Sequence, residues 1–73
     1  MRIQTNHLYY FIEKAGKGGL PKWHKDEGGW TYNAWEAWMD SCEQIAENRI
    51  KYLSGLEGCF VTKHVFTEDP YGA

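Results

Sequence analysis

From Thr31 to Leu53, the apolar residues Trp35, Trp38, Met39, Cys42, Ile45, Ala46, Ile50 and Leu53 recur at helical spacing. That spacing lays one broad apolar face along an α-helix. A helix of this kind cannot bury its own face, so the rest of the chain must supply a surface for it to cover. Thr31 or Asn33 can cap its N-terminus, and Asn33 with Glu36 has the spacing of a capping box. A cap at Thr31 would instead set Trp30 and Trp35 in the positions of a hydrophobic staple. Gly55, just beyond Leu53, is a natural stop. The pattern predicts a helix over 31–53 whose core-facing residues include Trp35, Trp38, Cys42, Ile45 and Leu53.

The surface it covers reads as a small sheet. His7-Leu8-Tyr9-Tyr10-Phe11-Ile12 is rich in aromatic and β-branched residues and predicts a strand over about 6–13. Leu8, Tyr10 and Ile12 share one face of that strand, and His7, Tyr9 and Phe11 share the other. Two apolar faces suit a central strand, or one whose outer face meets a partner. Ala15-Gly16-Lys17-Gly18-Gly19 is a flexible connection, and a second strand over about 20–25 returns antiparallel, with Pro21 suiting an edge. Cys59 to Phe66 reads as the last strand, over about 59–67, and the tail from Glu68 to Ala73 as frayed. The expected fold is a single small α+β domain of order β-β-α-β. It is a three-stranded sheet with one amphipathic helix on one face, the last strand lying parallel beside the first after a right-handed crossover. The other face is left to water or to a partner.

Seventy-three residues are near the lower limit for folding without a staple, since a chain of this size buries only about 60% of the surface it exposes when unfolded. Aromatic residues make up 16% of the chain and offset the short length. The formal net charge of −2 argues against direct binding of nucleic acid through phosphates. Met1-Arg2-Ile3-Gln4-Thr5-Asn6 has no apolar leader-like run, and no stretch has the roughly 20 apolar residues of a spanning helix. The expectation is a cytoplasmic protein that does not enter membranes.

No motif carries chemistry. Cys42 and Cys59 are too few and too far apart for a metal knuckle or a disulfide framework, and they read as buried free thiols packing as small hydrophobes. His7, His24 and His64 lack the paired spacing of zinc sites. Gly16-Lys17-Gly18-Gly19 precedes a strand, not the helix that a phosphate-cradling P-loop requires. We therefore expect no catalytic residues, no metal and no cofactor. Arg49 falls near the middle of the apolar arc, where it should snorkel outward or pair with a carboxylate such as Glu13 or Glu57.

One pattern departs from what stability alone would select. Glu36, Asp40, Glu43 and Glu47 fall at i, i+4, i+7 and i+11, which at about 100° per residue stacks four carboxylates along one side of the predicted helix. Like charges at these spacings cost a few tenths of a kcal/mol per pair. An acidic row beside an apolar face suits docking on a basic protein surface. The expected function is a small binding protein that inhibits or modulates a larger macromolecule by occlusion. Glu36, Asp40, Glu43 and Glu47 would meet a basic, nucleic-acid-binding surface, with Trp23 and Trp30 as apolar anchors. In size and architecture such a chain is similar in style to small phage-encoded host-takeover and anti-defence proteins, among them RNA polymerase inhibitors and anti-CRISPR proteins. The rival reading is a single-stranded nucleic-acid binder. It would use Lys14, Lys17, Lys22, His24 and Lys25 around the hairpin, with Trp23, Tyr9 and Phe11 as stacking groups. A homodimer through the open sheet face or an edge strand is compatible with either.

Overall fold

A computed structural model describes residues 7–67. The chain is α+β, as expected, but the described residues form five strands and a much shorter helix. Strand β1 (His7–Ala15) is followed by β2 (Pro21–His24), the two-residue strands β3 (Trp30–Thr31) and β4 (Met39–Asp40), helix α1 (Glu43–Tyr52) and strand β5 (Phe60–Phe66). The tail expected to fray from Glu68 lies outside the described residues.

β1 is the central strand. β5 pairs along nearly its whole length, from His7 opposite Phe66 to Glu13 opposite Phe60. Glu13 also pairs with Trp23 of β2, and Phe11 with Met39 of β4. Because a strand has only two edges, β2 and β4 must lie end to end along the edge that β5 leaves free. The Trp38 amide marks the join by donating to the His24 carbonyl at 2.8 Å. β3 extends the sheet beyond β2, with Trp23 opposite Thr31 and His24 opposite Trp30. All pairings are antiparallel.

The parallel crossover is therefore a correction, and its cause lies in where the helix begins. The chain leaves β4 beside Tyr10. α1 then reaches towards β2, where Arg49 contacts His24, and the following turn delivers Phe60 opposite Glu13. A strand entering at that end can only run back against β1.

The helix over 31–53 is the second correction. Its first twelve residues form β3, a single 3-10 turn (Ala34–Glu36) and β4. Three short polar side chains explain the break, because each satisfies a backbone N–H two residues ahead: Thr31 for Asn33, Asn33 for Trp35 and Asp40 for Cys42, at 3.0, 3.0 and 2.8 Å. Such local bonds compete directly with helical ones, and the aromatic residues of this stretch are weak helix formers. Asn33 does cap, but it caps the 3-10 turn.

Phe11 and Ile12, adjacent on β1, are both 0% exposed, so both faces of the sheet are covered at its centre. α1 packs on the Ile12 face, contributing fully buried Ala46 and contacting β1, β4 and β5. On the Phe11 face, Ala37 and Met39 complete a cluster with Phe11, bordered by Tyr9, Trp23, Ala34 and Phe66. That face was expected to be open, and the segment replacing the first half of the helix covers part of it. Several predicted core residues move outward as a result. Trp35 is 63% exposed, Ile45, Leu53 and Cys42 are also exposed, and Trp38 is half-buried.

Candidate functional site

The four carboxylates of the predicted stripe do not form one row. Glu36 sits on the 3-10 turn, where it accepts the Thr31 hydroxyl at 3.0 Å. Asp40 lies in β4 and holds the Cys42 amide just ahead of α1. Only Glu43 and Glu47 are on the helix, one turn apart and exposed. Asp40 pairs with Tyr10, whose neighbour on the same face of β1 is Leu8. Leu8 stands opposite Val65, and the two are 45% and 56% exposed. The chain therefore passes from Asp40, beside Tyr10 and two residues along β1 from this apolar pair, into α1, whose first turns carry Glu43 and Glu47.

The opposite end is basic. Lys14 and Lys22 are direct cross-strand partners, an arrangement that ordinarily costs stability through like-charge repulsion. Both ammonium groups lie over the Trp30 ring, 5.6 and 5.3 Å from its centroid, where the ring's negative face attracts them. Lys17 stands on the hairpin turn, and its amide donates to the Tyr32 hydroxyl at 2.9 Å. Gly16 lies directly beneath Tyr32. A Cβ there would come within 2.6 Å of the hydroxyl and 2.8 Å of the Leu20 carbonyl. Leu20 and Tyr32 are both exposed beside this cluster.

Trp23 and Trp30 are not paired anchors. Trp23 is opposite Thr31 and Trp30 is opposite His24, so they project to opposite faces. Trp23 belongs to the packed side, where its indole N–H donates to Glu13 at 3.0 Å and its ring meets Phe11 edge-on at 5.6 Å. Tyr9 and Phe11, expected as stacking groups, are likewise engaged there, Tyr9 edge-on to Phe66 and Phe11 fully buried. His64 stacks on Phe11 at 4.0 Å and shares a 2.9 Å hydrogen bond with Thr62. Burial lowers the His64 pKa from its ordinary value, against the opposing pull of Glu13.

Sequence reasoning missed one polar cluster. His24 is only 5% exposed, and its Nε2 accepts Arg49 Nε–H at 3.0 Å. Arg49 also donates to the Asp26 carbonyl and carboxylate at 3.3 and 3.2 Å, and its guanidinium lies 4.5 Å from the Trp38 ring. Its partners are therefore Asp26 and His24, not Glu13 or Glu57. Burial, then the adjacent Arg49 charge, lower the His24 pKa, with Asp26 opposing. No sequence signal placed residues 24 and 49 together, since 25 positions separate them.

Burial pushes the Cys59 thiol up, against the nearby Lys14 charge, and Cys42 is exposed where a buried thiol was expected. Both cysteines are free. Among the described residues, no group of three or more His, Cys, Asp or Glu side chains could hold a metal ion, and no helix is long and apolar enough to cross a membrane. Comparison with protein-family models, with curated proteins and with solved structures found no match for this chain.

Proposed function

We propose that this chain is a small binding protein that modulates a larger macromolecule by occupying one of its basic surfaces. The observation supporting this reading is the exposed Leu8–Val65 pair two residues along β1 from Tyr10, beside which Asp40 leads into α1 with the exposed Glu43 and Glu47. Apolar atoms supply contact area there, while the carboxylates speed encounter and set orientation. Glu36 and Trp23, tied to Thr31 and Glu13, contribute to the fold and not to the contact. The analogy with phage-encoded modulators makes a bacterial lysate the first source of partners. The wild-type chain should capture basic proteins that the Glu43→Lys, Glu47→Lys double variant, still folded, does not. Equal capture by both chains would remove the acidic end as the contact.

A second reading rests on the other end. Lys14 and Lys22 over Trp30, with exposed Tyr32 and Lys17 beside them, combine cations and aromatic surface in the way that single-stranded nucleic acids are bound. Titration with a short oligothymidylate should then quench tryptophan fluorescence in the wild type. The response should be lost in Trp30→Leu and weaken with added salt.

A further inference from the structure

We infer that the outer edge of β5 pairs with the same edge of a second copy of this chain, in an antiparallel arrangement about a two-fold axis at Lys63. Among the described residues, β1 is the only strand paired with β5, so the main-chain donors and acceptors of alternate residues of this seven-residue strand face outward. An exposed edge of this length is a template for another strand.

The identity of the occupant comes from the strand itself. Phe60-Val61-Thr62-Lys63-His64-Val65-Phe66 reads almost the same in both directions. Centred on Lys63, an antiparallel pairing sets Phe60 opposite Phe66 of the second copy, Val61 opposite Val65, and Thr62 opposite His64. Aromatic and β-branched pairs of this kind stabilise antiparallel ladders. Thr62 and His64 already share a hydrogen bond within one chain, so the two groups are chemically matched. Phe60 and Val65, 50% and 56% exposed in the single chain, would gain cross-strand neighbours.

The one mismatch is Lys63 facing its own copy. A lysine on an edge strand restrains pairing, which makes the dimer reversible.

Sedimentation of the full chain from micromolar to millimolar concentration tests this. The wild type should show a monomer–dimer equilibrium. Lys63→Thr, at an exposed position, should tighten it roughly two- to fivefold by removing the facing charges. In a chain also carrying Cys42→Ser and Cys59→Ser, Lys63→Cys should form a covalent dimer through position 63 on mild oxidation. Wild type and Lys63→Thr that both remain monomeric at millimolar concentration, with folded circular-dichroism spectra, would overturn the inference. So would a Lys63→Cys thiol that stays unlinked under oxidation. No outside partner is needed, so failure here leaves the docking proposal standing.

Discussion

Arg49 Nε donates to His24 Nε2 at 3.0 Å, joining the last turns of α1 to the end of β2. The bond requires His24 to be neutral, because a protonated imidazole has no acceptor to offer.

Acid should therefore weaken the fold. The pKa values of both His24 and His64 are lowered, chiefly by burial. The unfolded chain thus takes up protons at higher pH than the folded one. Their contribution to stability is complete above the unfolded histidine value of about 6.5 and declines as pH falls through the lower folded values. Thermal melts should show a falling midpoint from neutral pH towards pH 5, and His24→Gln with His64→Gln should flatten that part of the profile. An unchanged profile in the double variant would assign the acid sensitivity elsewhere.

Removing the arginine should be costly even at neutral pH. Arg49→Met leaves the buried His24 nitrogen without its donor and removes the cation from Trp38. The expected loss is about 1–3 kcal/mol. Asp26→Asn, at an exposed carboxylate, should cost less than about 1 kcal/mol. Urea denaturation of both variants measures the contrast.

How much of this was legible in sequence can be judged from particular residues. β1 could be read because His7–Ile12 is apolar on both faces, and it is the central strand, with Phe11 and Ile12 buried back to back. α1 was found but overextended. Trp35, Trp38 and Met39 fit helical spacing, yet Thr31, Asn33 and Asp40 each divert a backbone amide. Those three residues were the available signal, and periodicity outweighed them. Once the helix was shortened, the acidic stripe lost Glu36 and Asp40 from its row and β5 reversed its direction. The His24–Arg49 contact depends on the tertiary path and had no local signature.

The core prediction concerns Phe11, which is fully buried against His64, Trp23 and Phe66. Phe11→Ala should cost about 3–5 kcal/mol, comparable with the whole stability expected of so small a core. Circular dichroism should show it largely unfolded. Leu8→Ala, at a half-exposed position on the same strand, should retain the wild-type spectrum.

Two local devices can be tested by single substitutions. Gly16→Ala forces a Cβ against the Tyr32 hydroxyl and the Leu20 carbonyl, and should destabilise by about 1–3 kcal/mol. Asp40→Ala removes the side-chain acceptor of the Cys42 amide and should cost about 1 kcal/mol, as loss of a helix-start acceptor does. Both are read from denaturation midpoints.

The most direct test of the docking proposal is amide chemical-shift mapping of the full chain titrated with a short arginine-rich peptide. Saturable shifts should centre on Asp40 to Glu47 and on Leu8 and Val65. The largest shifts falling instead on Asp26, Glu27 and Glu57, or shifts that never saturate, would contradict the claim that the start of α1 is a binding surface.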